Sequence, residues 1–152
     1  KGKILAVDVR PMEKINNVDF IHGDFYDVSI CEKIMLYFNN KADVVLSDMA
    51  VNTSGNKALD SYRTGELCIS AMSLAKKILS ENGVFLSKIF MGSIFGEING
   101  LAKKSFKNVV KYKPLSSKKE SKEIYIFCKG ILKIWYTDHN WLIVRLWKKI
   151  YF

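Results

Sequence analysis

Short apolar runs ending in an acid or a turn, separated by stretches with helical spacing, restrict this chain to an alternating strand–helix architecture. Lys3–Val9 (K-I-L-A-V-D-V), Val18–His22 followed by Gly23–Asp24, Asp43–Ser47 and Val84–Phe90 read as strands. Between them, Ile30, Ile34, Met35 and Phe38 recur at helical spacing over Ser29–Phe38, with Ser29 as the expected N-cap. Leu67, Ala71, Leu74, Ala75 and Ile78 form a second stripe over Asp60–Ser80, which Asn82–Gly83 is expected to close. A third helix is expected over Ile94–Lys104, then strands at Asn108–Lys113 and Glu123–Lys129 joined by the loop Pro114–Lys122. This order predicts an α/β domain with a mostly parallel sheet.

Three charged residues stand out against that framework. Ala42–Asn52 (A-D-V-V-L-S-D-M-A-V-N) reads as a buried strand that delivers Asp48 at its carboxyl end. Lys88 lies inside the strand S-K-I-F, and Glu123 opens the run E-I-Y-I. Ligands of open α/β sheets bind beyond the carboxyl ends of the strands, so an acid, a lysine and a second acid from three strands outline a candidate active site. Taken singly, each has a structural explanation: Asp48 as a turn cap, Lys88 as a side chain reaching for water, Glu123 as a partner for a loop lysine.

Composition narrows the class. A chain of 152 residues with 49% apolar residues suits one packed domain. It has no apolar run of about 18 residues, so no membrane span is expected, and no signal peptide is read ahead of the first strand. Cys31, Cys68 and Cys128 lack CxxC spacing and read as reduced thiols of a cytoplasmic protein. With only His22 and His139, no metal site is expected. The net charge of +9 suits either a polyanionic partner or a lysine-rich solvated surface.

As an ordered set the motifs resemble the FtsJ/RrmJ family of S-adenosylmethionine-dependent ribosomal RNA 2′-O-methyltransferases. The matching pieces are A-V-D-V-R-P-M at Ala6–Met12, H-G-D-F at His22–Phe25, L-S-D-M-A at Leu46–Ala50, S-K-I-F at Ser87–Phe90, and K-P-L-S-S-K-K-E-S-K-E-I-Y-I at Lys113–Ile126. The resemblance is collinear from about Lys1 to Gly130. It implies a Rossmann-like methyltransferase fold whose last two strands form an antiparallel hairpin. It further implies that Asp8 holds the cofactor ribose, Asp24 lies near the adenine amino group, and Asp48 stands beside the reacting centre. Lys88 would be the catalytic base, with Asp48 and Glu123 in its catalytic group. The substrate implied is a uridine of large-subunit ribosomal RNA. Lys113, Lys118, Lys119 and Lys122, clustered on one loop, would contact its phosphates.

A lysine has an ordinary pKa of about 10.4 and takes the hydroxyl proton only when neutral. Neighbouring carboxylates oppose that neutrality, and in the family a second lysine from the N-terminal region offsets them. Neither that lysine nor the glycine-rich turn after the family's first strand is found in this sequence. A methyltransferase domain over residues 1–130 lacking its first, central strand is therefore the expectation, with that strand's neighbours left unpaired. Residues 131–152 read as an atypical basic and aromatic tail holding Trp135, Trp141 and Trp147. A monomer is expected. Two alternatives remain: a catalytically incomplete fragment keeping only a basic RNA-binding surface, and an unrelated dinucleotide-binding domain, which would need a GxGxxG absent here.

Overall fold

The computed structural model describes residues 2–39, 41–52, 54–118 and 121–132. Their elements run β1 (Leu5–Asp8), β2 (Asp19–His22), α1 (Val28–Phe38), β3 (Ala42–Ser47), α2 (Lys57–Ile78), β4 (Leu79–Phe90), α3 (Phe95–Ser105), β5 (Phe106–Tyr112) and β6 (Glu123–Ile131). Within these residues β1 and β2 pair in parallel as one sheet, and a second sheet has the order β3–β4–β6–β5. β3 is parallel to β4, while β6 enters between β4 and β5 and runs antiparallel to both. The expected terminal hairpin is therefore present, but pairing is mixed rather than mostly parallel, because the inserted β6 reverses direction against two neighbours.

The two sheets face one another across a cleft of about 420 Å³, with Leu5 and Val7 on one side and Val44, Val45 and Leu46 on the other. Among the described residues β1 pairs only with β2 and β3 only with β4. Both strands therefore have one unpaired edge among these residues. The gap also corrects the reading of β3 as a buried strand: Val44 is 53% and Leu46 71% exposed. An apolar sequence marks a strand made for two covered faces, but β3 is an edge here.

One face of the larger sheet forms the core. Phe85, Ser87 and Ile89 of β4 alternate inward and lie opposite Cys128, Ile126 and Ile124 of β6 in register. α2 and α3 cover this face, and Phe85 stacks on Phe106 at 6.2 Å between ring centroids. Full burial of a side chain such as Phe85 contributes roughly 1.5–3 kcal/mol. The intervening residues Leu86, Lys88 and Phe90 lie on the opposite, half-buried face. Strand alternation alone thus carries Lys88 out of the core.

Two helix ends differ from expectation. Asp27, not Ser29, caps α1, its carboxylate accepting from the Ser29 amide at 2.8 Å. α2 stops at Ile78 and the chain passes straight into β4 at Leu79, so Asn82–Gly83 lies within a strand. A Cβ on Gly83 would come 3.0 Å from the Ser80 carbonyl oxygen, a close approach that explains the glycine without a helix cap. The buried stripe of α2 includes Ser61, Thr64, Gly65 and Cys68 as well as the expected Ala71, Ala75 and Ile78, while Leu67 and Leu74 are only half-buried. β6 runs to Ile131; the tail from residue 133 lies outside the described residues.

Candidate active site

Asp8 is the last residue of β1, Asp24 follows β2, and Asp48 follows β3. Although they come from two sheets, all three line one cavity of about 600 Å³ beyond the strand carboxyl ends. Val7, Phe25 and Leu67 give that cavity apolar walls, and Asn52 adds an amide. The volume falls within the roughly 300–1,000 Å³ typical of small-molecule sites.

Two of these acids also hold turns. Asp8 Oδ1 accepts the Arg10 amide at 2.8 Å, and Asp24 Oδ1 accepts the Tyr26 amide at 2.9 Å. Each carboxylate fixes a turn with one oxygen, so the turn and the cavity use the same residue. The acid that shapes the backbone is thereby held in place at the cavity wall.

Asp48 joins the cavity to Lys88. The Lys88 ammonium lies 2.8 Å from the Asp48 carboxylate; the lysine side chain is 14% exposed and the aspartate 77%. That hydrogen bond holds the Lys88 amine above the ordinary lysine range; burial pulls the other way, and the charges of Asp48, Glu123 and Tyr125 add to the rise. In the ladder Lys88 faces Tyr125 and Phe90 faces Glu123, so these four share one sheet face. Glu123 therefore stands two pairs nearer the end of β4 than Lys88, acting through its charge; within 4.0 Å, among the described residues, Lys88 pairs with Asp48.

The loop lysines divide. Lys113 donates to the Ser121 carbonyl at 2.8 Å and so fastens the loop to the start of β6. Lys118 and Lys122 are exposed, and Lys119 lies outside the described residues. The sequence pattern alone did not point to Tyr125 or Asn52. Tyr125 could have been suspected from its period-two spacing with Glu123, but its position against Lys88 depends on register, which the sequence does not reveal.

Among the described residues no group of three or more His, Cys, Asp or Glu side chains is arranged to hold a metal, and no helix is long and apolar enough to cross a membrane. Cys31, Cys68 and Cys128 are free; burial pushes the Cys68 thiol up to about 11 and that of Cys128 up to about 12.

The FtsJ-like methyltransferase family profile matches residues 1–131. The chain belongs to that family. It is 52% identical over 128 residues to a ribosomal RNA large subunit methyltransferase E from Pelagibacter ubique, an alignment covering 84% of this chain and 63% of that relative. The FtsJ-like chain thus spans less than two thirds of the relative's length. Its fold superposes with a TM-score of 0.75 on a protein described as a ribosomal RNA methyltransferase from Plasmodium falciparum, at 30% identity, covering 87% of this chain and 74% of the other. A methyltransferase-like protein from Streptococcus mutans, solved with SAH, shares the fold alone, with a TM-score of 0.51, 14% identity and coverage of 84% and 71%.

Proposed function

We propose that this FtsJ-like domain takes part in S-adenosylmethionine-dependent methylation of a uridine ribose 2′-hydroxyl in large-subunit ribosomal RNA. The observation that carries this reading is the Lys88–Asp48 pair, whose carboxylate lines the same cavity as Asp8 and Asp24. The cavity suits the cofactor chemically. Its carboxylates are acceptors for a ribose diol and an adenine amine, its apolar walls suit a purine face, and Asp48 offers a negative charge to a cationic centre. When bound, the cofactor supplies a methyl group on a positively charged sulfur.

The protein's part is alignment and proton management. Holding an RNA hydroxyl against the methyl removes much of the entropic barrier, an effect worth up to about 7–11 kcal/mol in well-oriented systems. Lys88, when neutral, accepts the hydroxyl proton at Nζ; the resulting ammonium is then held by Asp48 at 2.8 Å and supported by Glu123. The pair as found is that protonated state. Because Asp48 raises the amine's proton affinity, the neutral base forms most readily when another positive charge draws on the same carboxylate.

Calorimetric titration of the chain with S-adenosylmethionine, with Asp24→Ala as control, tests the cofactor site. Binding that weakens roughly 10–100-fold in the variant supports it. In an RNA methylation assay Lys88→Met is expected to lower the rate about 10²–10⁴-fold while leaving cofactor binding in place. A rate unchanged by Lys88→Met would remove the lysine from the mechanism. One observation favours a second reading, a fragment that keeps only a basic RNA-binding surface: Val7, Asp8, Phe25, Asp48 and Met49 line both the cofactor cavity and the open cleft between the sheets. A folded chain that binds RNA but no cofactor would select that reading.

A further inference from the structure

The four-stranded sheet is apolar on both faces, and α2 and α3 cover the one that carries Phe85, Ile89 and Cys128. On the reverse, one ladder row runs Leu46, Leu86, Phe127 and Val110 across β3, β4, β6 and β5 in register. Val44 and Val84 continue the apolar surface into the next row on the same face. None of these six belongs to the core cluster or to the partly buried residues packed against it. Leu46 is 71% and Val110 54% exposed. A sheet with one solvated face alternates apolar-in and polar-out, whereas β4 and β6 are apolar toward both sides, the pattern of strands covered twice. A contiguous apolar patch of this kind marks an interaction surface.

The sequence after β6 supplies a matching surface. Leu142, Ile143, Leu146, Trp147 and Ile150 recur at helical spacing, and Arg145, Lys148 and Lys149 fall on the opposite side. A helix over residues 141–152 would be about 18 Å long, close to the roughly 20 Å that Val84–Phe90 span along β4. The connection is long enough. The Leu132 amide donates to the Ser105 carbonyl at 2.9 Å, which fixes the chain beside the head of β5. Residues 133–140 reach up to about 26 Å when extended, against about 14 Å between the outer strands of a four-stranded sheet. A second copy of the chain is a poorer occupant. The face offers about 400 Å², half of the roughly 800 Å² per partner in a stable interface, and each copy carries a net charge of +9. We propose that the Leu46–Leu86–Phe127–Val110 face is the dock for this chain's own residues 141–152, seated as a helix on their apolar stripe. The next row on this face carries Lys88, Tyr125 and Tyr112, so the docked segment lies beside the amine and leaves its cations outward. This docking is independent of how the cofactor cavity is read.

Tryptophan fluorescence of the full chain tests the proposal, because its three tryptophans are Trp135, Trp141 and Trp147. With Trp135→Phe and Trp141→Phe, emission reports on Trp147 alone. Blue-shifted emission, protected from acrylamide and independent of protein concentration, is expected. Leu46→Lys and Val110→Lys, each at an exposed position of an outer strand, should each move the emission to the red and raise quenching several-fold, with circular dichroism unchanged. Leu36→Lys, on the exposed side of α1, should leave it in place. Leu146→Asp tests the same contact from the tail, leaving the sheet untouched, and should release Trp147 as fully. The proposal is overturned if Trp147 is quenched like free indole in the folded chain, or if both lysine variants fold and keep its protection. Protection that appears only as concentration rises would assign the face to a second copy and equally overturn it.

Discussion

The four-stranded sheet and the β1–β2 pair bring unequal resources to one site. In the larger sheet Phe85, Ile89 and Cys128 are fully buried beneath α2 and α3, and Lys88 sits on the reverse of that packed layer. In the smaller one no strand residue is buried, and a two-stranded sheet is marginal by itself. What holds it is α1, whose Ile30 and Ile34 join the same core as β4. The lysine proposed to handle the proton thus stands on the well-packed part of the molecule, and the carboxylates proposed for the cofactor stand on the part with least burial. Asp8 and Asp24 compensate through their turn hydrogen bonds, which fix them locally rather than by packing.

The contrast can be broken most forcefully from within the core. Phe85→Ala is expected to cost about 3–5 kcal/mol and to lower the urea midpoint in one cooperative step, because α1 and β4 share a continuous cluster. Two separated transitions would show that the halves fold independently. A smaller change acts on one half. Asp27→Ala removes the α1 cap at a cost of about 1 kcal/mol, and hydrogen exchange should show α1, β1 and β2 amides losing protection while β4 and β6 keep theirs. Equal losses everywhere would erase the distinction.

The smallest effect on stability is expected at the junction. Asp48→Asn replaces the charged acceptor that raises the Lys88 amine with a neutral amide oxygen, so the rising limb of the pH–rate profile should move to lower pH while the plateau falls. The stability contributed by the pair is present below the ordinary lysine range and is lost as pH rises through the raised folded value; the variant should lack that alkaline decline. A profile that stays in place would separate Asp48 from the lysine's titration.

Much of this was legible in the residues. The acids at the ends of three apolar runs line one cavity, with the lysine of a fourth run paired to one of them, as their positions suggested, because strand ends and side-chain alternation follow from local pattern. The illegible parts depend on neighbours. Leu46 reads as a buried strand residue, yet exposure depends on what pairs alongside. Ser29 and Asp27 are both competent caps, and two residues of helix start decide between them. The inner stripe of α2 extends further than its apolar residues suggest: Ser61 and Thr64 are polar yet buried, and Gly65 leaves room for Ile94 at the start of α3.

The facing edges of β1 and β3 also carry a colloidal consequence. Among the described residues each leaves backbone donors and acceptors unpaired along one side, and Val44 and Leu46 add exposed apolar surface, a combination that favours strand addition between molecules. The net charge of +9 opposes such encounters by mutual repulsion, but only across a Debye length of about 10 Å at 0.1 M salt, and about 3 Å at 1 M. Added salt therefore shortens the reach of the repulsion that keeps these edges apart.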